Sequence, residues 1–121
     1  MTETCRVTSP FTCGLEAVLF VLGGKWKPLI LFQLTGRTLR YGELRRAVGR
    51  VSDKVLIQQL KELQADGIIS RVDHGEIPPK VDYSLTPFGD SLAEALGRLC
   101  EWGTRHTDEI ATIVNRRAGP S

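Results

Sequence analysis

The sequence predicts a mainly α-helical domain that carries a small β-hairpin. Three observations support this prediction. Apolar residues recur at three- and four-residue steps in several segments, and capping residues and glycines delimit those segments. Between residues 68 and 85, two β-branched runs flank a turn-like stretch with two prolines. With 121 residues, of which 41% are hydrophobic, the chain fits one domain, and a partner subunit is expected because it is too short for two cores.

The first predicted helix runs from about Gly14 to Leu22 and is preceded by a flexible N-terminal arm, residues 1–12. Cys13 stands at the N-cap and Glu16 follows three residues later, which resembles a capping box. The helix is apolar nearly all round, and such a helix must be buried. In a chain this small, burial on two sides indicates a subunit interface.

Three further helices are predicted at 25–34, 41–48 and 53–66, with a short strand at 38–40. The helix at 25–34 offers Trp26, Leu29, Ile30 and Leu34 for the core. Ser52 is a good N-cap for the helix at 53–66, and a turn at 49–51 separates this helix from the one at 41–48. A helix, a short turn with glycine and a second helix form the outline of a helix-turn-helix.

The hairpin strands at 68–72 and 80–85 follow this outline directly, so the hairpin corresponds to a wing. Thr86-Pro87 then begins one long helix, whose apolar stripe continues to Ile113. One interpretation is a core helix lying across the domain; the extra length favours a dimerisation helix. The domain is placed at 13–114 and residues 115–121 are predicted to be frayed. The fold class is therefore a winged helix-turn-helix with N- and C-terminal dimerisation helices.

Charge is unevenly distributed although the net charge is only +2. From Lys25 to Lys54 there are eight basic and two acidic residues, and from Asp82 to Glu109 six acidic and two basic ones. A polyanion would be drawn to the first stretch. Ordinary solvated charge is the alternative explanation.

In the helix at 53–66, a rotation of 100° per residue places Leu56, Leu60 and Leu63 inward, and Lys54, Gln58 and Lys61 outward. The outward stripe is either a solvated face or a DNA-contacting face. Because the helix lies between a turn and a hairpin, the DNA-contacting interpretation is favoured. The predicted DNA contacts are Ser52, Lys54, Val55, Gln58 and Lys61 from this helix, Lys25, Tyr41, Arg45 and Arg46 on the flanking backbone, and Arg71 and Lys80 in the wing.

The order and spacing of several motifs resemble one family over about residues 13–107. The chain is similar to the HxlR-type regulators of bacteria, a branch of the winged helix-turn-helix proteins. The matching motifs are Gly23-Gly24-Lys25-Trp26-Lys27, Tyr41-Gly42-Glu43-Leu44-Arg45-Arg46, Ser52-Asp53-Lys54-Val55-Leu56, Asp66-Gly67-Ile68-Ile69, the run from Pro78 to Gly89, and Cys100-Glu101-Trp102-Gly103. The resemblance implies a homodimer on an inverted-repeat operator, more commonly a repressor, with recognition helices ~34 Å apart.

The resemblance also implies a switch, since some members of the family sense oxidants or electrophiles through a cysteine just before the first helix. Cys13 occupies that place. A helix N-terminus lowers the pKa of a thiol, whereas Glu16 opposes this effect, and an inert cysteine is the alternative. Cys100 of the other subunit, or Cys5 in the arm, would be the disulfide partner.

The sequence supports other functional classes less well. No nucleophile–base pair, phosphate loop or metal-ligand spacing is visible, so we expect no enzyme, cofactor or metal site. No apolar run approaches the ~20 residues of a membrane span and no leader is evident, so we expect a cytoplasmic protein. A repressor that binds a small molecule at the dimer interface, with inert cysteines, remains the main rival. A winged helix used only for protein contacts is a third hypothesis.

Overall fold

A computed structural model describes residues 11–119 of the chain. Its elements are, in chain order, α1 Gly14–Leu22, α2 Trp26–Leu34, β1 Leu39–Arg40, α3 Tyr41–Val48, α4 Asp53–Ala65, β2 Ile69–Asp73, β3 Val81–Leu85, α5 Pro87–Arg105 and α6 Thr107–Ala118. This confirms the predicted fold class of helices with a small antiparallel sheet. Most of the predicted arm, residues 1–10 with Cys5, lies outside the described residues.

The sheet has the strand order β1-β3-β2, so the second hairpin strand is its centre. In β3, Leu85 pairs with Ile69 of β2, while Tyr83 pairs with both Arg71 of β2 and Leu39 of β1. The short strand predicted at 38–40 is thus present at Leu39–Arg40, where it ties the wing to the chain entering α3. The wing is therefore anchored to the helix-turn-helix.

The core lies where α2, α3 and α4 meet the base of the wing. Its fully buried side chains are Ile30, Leu31, Leu34, Leu44, Leu56, Leu60, Leu63, Ile68 and Ile69. The inward stripe predicted for α4 is confirmed. The expectation for Leu29 is wrong, because this side chain is 36% exposed on the face of α2 that looks towards α5.

The start of α5 is pinned to the segment that leaves α4. The backbone N–H of Thr86 donates to the Ile68 carbonyl at 3.0 Å, and the Thr86 hydroxyl donates to the Gly67 carbonyl at 2.7 Å. One turn on, a Cβ atom added to Gly89 would lie 2.0 Å from the Ile68 carbonyl oxygen. Glycine at 89 therefore permits the close approach between α5 and the chain after α4.

The single long C-terminal helix predicted from the apolar stripe is wrong, because the chain leaves helical geometry at His106. His106 has φ −119° and ψ 31°, and its ring nitrogen Nδ1 lies 2.8 Å from the Trp102 carbonyl oxygen. Asp108 and Glu109 then stand in the first turn of α6, where acidic side chains stabilise a helix start. Periodicity continues across the break, which is why the pattern did not reveal it.

The end of α6 lies beyond residue 114, the predicted end of the domain. The helix continues to Ala118, with Arg116 and Arg117 in its last turn and Gly119 as C-cap. Basic side chains near a helix C-terminus interact favourably with its carbonyl end. Residues 115–118 are therefore helical rather than frayed.

Candidate DNA-binding surface

The turn between α3 and α4 positions the start of the recognition helix. Ser52 caps α4 by accepting a hydrogen bond from the Val55 backbone N–H at 3.2 Å, as predicted for an N-cap. Val51, the last residue of the turn at 49–51, is buried in the core. Since the Ser52 oxygen accepts from the helix, its hydroxyl hydrogen is available to donate to a further acceptor.

Asp53 joins the two helices of the motif at their exposed side. Its Oδ1 atom accepts a hydrogen bond of 2.5 Å from Tyr41 Oη. The same atom forms an ion pair with Arg45, whose Nε lies 2.8 Å away. Burial raises the pKa of the Tyr41 hydroxyl to about 12, and the hydrogen bond to Asp53 and its charge add to the effect. Tyr41 is therefore a neutral hydrogen-bonding group, and Arg45 is oriented by a carboxylate instead of extending freely.

The outer face of α4 is accessible along most of its length. Lys54, Val55, Gln58 and Lys61 are all exposed. Lys61 borders a cleft between α4 and the wing that Arg71 also lines. The structure thus places Lys54, Val55 and Gln58 on the outward stripe, and Lys61 at its wing side.

Arg46, Arg71 and Lys80 lie around the wing. Arg46 borders a cleft between the start of α3 and Pro79 at the wing tip. Arg71 is exposed, with Asp73 Oδ2 3.9 Å from its guanidinium, and Lys80 is half-buried at the base of the tip. Arg46 therefore lies between the start of α3 and the wing tip, and Arg71 lines the cleft between α4 and the wing together with Lys61.

Lys25 is placed elsewhere. Its ammonium lies 4.7 Å from the centre of the Trp26 ring, a cation–π contact. The preceding residue, Gly24, lines a groove with Leu99 and Cys100 of α5. Lys25 therefore lies next to a residue of the α5 groove, and it is not among the residues that line the clefts beside Arg46, Lys61 and Arg71.

Lys27 and Glu62 form an ion pair that sequence reasoning missed. Sequence reasoning assigned Lys27 no contact, yet it is 8% exposed and its Nζ lies 2.5 Å from Glu62 Oε1. A signal was present, because Lys27 precedes Leu31 and Leu34 by four and seven residues and so shares their buried face.

An apolar surface lies on the α1 and α5 side of the domain. Leu19 is 61% and Leu99 66% exposed in the single chain. Between them runs a groove of about 520 Å³ lined by Leu19, Leu22, Gly24, Pro28, Leu29, Phe32, Leu96, Leu99 and Cys100. Large contiguous apolar patches on small proteins mark interaction sites. The buried position expected for α1 is thus not reached within one chain.

The two described cysteines occupy different parts of this surface. Cys13 is half-buried at the N-cap of α1, whereas exposed Cys100 lines the groove with residues from the other end of α1. The capping box expected at Cys13 is wrong: its side chain makes no capping bond, and the Glu16 carboxylate accepts from Thr12, one residue earlier. The thiol of Cys13 is therefore not engaged in capping.

Residues 11–119 contain neither a metal-ligand cluster nor a membrane-spanning helix. No cluster of three or more histidine, cysteine or acidic side chains in this range is arranged to hold a metal ion. No helix in the same range has the length and apolar character needed to cross a bilayer.

A capped recognition helix, a preceding helix joined through a short turn and an antiparallel wing together define a winged helix-turn-helix protein of the DNA-binding class. The model of the HxlR-like helix-turn-helix family matches residues 21–111. The chain belongs to that family and is a helix-turn-helix transcriptional regulator.

Relatives of known structure or sequence agree with this assignment. The uncharacterized regulator YtcD of Bacillus subtilis is 44% identical over 100 residues, which cover 83% of this chain and 79% of YtcD. The redox regulator HypR in its reduced form superimposes with a TM-score of 0.76 at 38% identity, covering 81% of this chain and 97% of HypR. Diamide-treated YodB of B. subtilis superimposes with a TM-score of 0.65 at 29% identity, covering 83% and 96%.

Proposed function

We propose that the protein binds an inverted-repeat operator as a homodimer and represses transcription, and that modification of Cys13 by an oxidant or electrophile controls this binding. The observation that carries the DNA part is the outward stripe of Lys54, Val55 and Gln58 on a capped helix. Their side chains match a guanine or phosphate, a thymine methyl group and adenine, respectively. Arg46 and Arg71 supply cations for the adjacent backbone.

The homodimer part is supported by the apolar surface of α1 and α5. A single chain leaves Leu15, Leu19, Phe20, Leu99 and Trp102 more than half exposed. A second copy would remove them from water at a gain of about 25 cal/mol for each Å² of apolar area. Two-fold symmetry would then present two recognition helices to half-sites one DNA turn apart.

The sensing part is supported by the place of Cys13 at a helix N-terminus within the proposed interface. Its thiol is half-buried and makes no capping bond. HypR is named a redox regulator, and YodB has been crystallised after treatment with the thiol oxidant diamide. A bond to Cys13 would shift α1 and thereby the spacing of the recognition helices.

The experiment is a gel shift with purified protein and the intergenic DNA upstream of its own gene, in reduced form and after diamide or methylglyoxal. We expect tight binding by the reduced protein and its loss after treatment. Cys13→Ser should bind as tightly and no longer respond, while Cys5→Ser should respond as wild type does and serves as a matched control for general thiol modification. A Cys13→Ser protein that still loses DNA after treatment would contradict Cys13 as the sensor.

The disulfide partner is tested separately. Cys100 of the second subunit is our proposed partner, which requires Cα atoms within ~7 Å across the interface. Cys5 is the alternative. Non-reducing gels of the oxidised single variants distinguish the two, because a covalent dimer that depends on Cys13 and Cys100 but persists in Cys5→Ser supports the first pair.

A small molecule in the groove beside Cys100 is the second candidate signal. The groove is almost entirely apolar and has the volume of a small ligand site, about 520 Å³. In that case the cysteines are inert: a metabolite would release DNA from the protein, and thiol reagents would leave binding unchanged. The same gel shift, repeated with Phe32→Trp to fill the groove, separates this signal from a thiol-based one.

A further inference from the structure

Lys27 is the one buried charged residue in the described range 11–119. It lies in the first turn of α2, and its Nζ atom lies 2.5 Å from Oε1 of Glu62 in α4. An ammonium group removed from water needs a counter-charge close by, because an unpaired buried charge is strongly destabilising. The buried ammonium group of Lys27 therefore holds the Glu62 carboxylate at one position on the side of α4.

Glu62 uses its second oxygen for a different residue. Oε2 accepts a hydrogen bond of 2.8 Å from the side-chain Nε2 of Gln58, one helical turn earlier. The hydrogen bonds from Lys27 and Gln58, together with the Lys27 charge, hold the pKa of the Glu62 carboxyl below its usual value. Glu62 is therefore ionised at neutral pH and connects a buried lysine to an exposed glutamine.

This connection limits how the Gln58 amide can point. A carboxylate only accepts hydrogen bonds, so it engages the NH₂ end of an amide and never the carbonyl end. With one N–H bound to Glu62, Gln58 keeps its other N–H and its carbonyl oxygen. That pair is the pattern that matches the N7 acceptor and N6 donor of adenine in the major groove.

We propose that Glu62 is a positioning residue for base specificity: held by Lys27, it orients the Gln58 amide so that one adenine per half-site is selected. This inference rests on the proposed function, in which Gln58 faces a base. An exposed pair of side chains four residues apart contributes little to helix stability and restrains its members weakly. The buried Lys27 makes this pair different, because it restrains Glu62 from the far side.

The test uses DNA selected from a random library by the full-length protein, with the relative affinity for all four bases measured at each operator position. Gln58→Ala should reduce the preference for adenine at one position per half-site by roughly tenfold. Glu62→Gln leaves one acceptor oxygen, and the buried ammonium of Lys27 takes it. The amide of Gln58 is then released, and we expect a loss of at least about threefold at the same position.

The double variant Gln58→Ala/Glu62→Gln should show no further change at that position, since Glu62 acts through Gln58. Gln64→Ala, which removes another exposed glutamine of α4, is the matched control and should leave the base preferences unchanged. If Glu62→Gln does not fold, Lys27→Met/Glu62→Leu replaces it, because removing both partners of a buried pair leaves no unpaired charge.

The outcomes separate the inference from the proposed function. A wild-type protein that selects no sequence overturns both. A wild-type protein that selects an operator, together with a Gln58→Ala or Glu62→Gln protein that retains every base preference, overturns the inference alone. So does a Glu62→Gln protein that weakens all sequences equally or changes a position other than that of Gln58→Ala.

Discussion

Tyr41 Oη donates a hydrogen bond of 2.5 Å to Asp53 Oδ1, joining the first residue of α3 to the first residue of α4 across the turn. Arg45 binds the same oxygen from the next turn of α3. The angle between the two helices of the motif therefore depends on polar contacts at the surface as well as on the apolar core beneath. These contacts lie on the side of the domain where we propose that DNA binds.

The first prediction concerns alkaline pH. The Tyr41 hydroxyl has a pKa of about 12 in the folded protein, compared with the ordinary 10.0. Because the folded pKa is raised, the contribution to stability is complete below pH 10 and is lost as pH rises through 12. Chemical denaturation should therefore show that wild type loses more stability than Tyr41→Phe in this interval.

Asp53→Ala should bring the pKa of Tyr41 down towards its ordinary value, because it removes the acceptor and its charge. Ultraviolet titration of tyrosinate absorbance measures this, and a Tyr83→Phe background removes the second tyrosine of the chain. A Tyr41 pKa unchanged by Asp53→Ala would show that the contact is absent in solution.

The second prediction concerns acid pH. The pKa of Glu62 is lowered, so its contribution is present above the ordinary value of 4.5 and is lost as pH falls through the folded pKa. Lys27→Met removes the main cause. The stability difference between wild type and Lys27→Met should therefore change in favour of the variant as the solution is acidified.

Lys54→Met is the matched control for this experiment, since Lys54 is exposed and lies about two turns before Glu62 in α4. Its stability difference from wild type should stay constant over the same acid range. A Lys27→Met difference that is equally constant would contradict an ionised Lys27–Glu62 pair.

The third prediction concerns the close approach at Gly89. In Gly89→Ala the new methyl carbon would lie 2.0 Å from the Ile68 carbonyl oxygen, so α5 must move away from the chain after α4. We expect a loss of at least about 2 kcal/mol in the free energy of unfolding, typical of overpacking against backbone. Urea denaturation measures it.

Gly42→Ala is the comparison for Gly89→Ala, because its added carbon would meet only the end of the flexible Arg46 side chain, at 3.5 Å. Alanine favours a helix over glycine by up to about 1 kcal/mol, so Gly42→Ala should be neutral or slightly stabilising. Equal effects of the two substitutions would disprove the packing argument at Gly89.

The fourth prediction concerns assembly. Leu99→Glu places a charge in the apolar surface of α1 and α5, where Leu99 is 66% exposed in one chain. We expect a folded monomer, by light scattering and circular dichroism, whose DNA affinity falls at least tenfold because two half-sites are no longer bound together. Ile77→Glu at the wing tip, where Ile77 is 98% exposed, should remain dimeric. A dimeric Leu99→Glu protein would place the interface elsewhere.

Much of the DNA-binding motif was predictable because its signals are local. Ser52 caps α4, the spacing of Leu56, Leu60 and Leu63 marks its buried face, and the observed α3 has the predicted bounds. The outward positions of Lys54 and Gln58 follow from the same rotation. The placement of Lys25 could not be predicted in this way, because it depends on how α2 packs against α5.

The sequence alone therefore determined the helix-turn-helix, its wing and the outward face of α4, since capping residues, turn residues and short-range periodicity mark each of them. Tertiary structure decided the contact between Lys27 and Glu62, the pairing of β1 with β3 and the apolar groove of α1 and α5. These features join residues far apart in the chain. Periodicity shows that a face is buried or exposed, and only packing shows what that face meets.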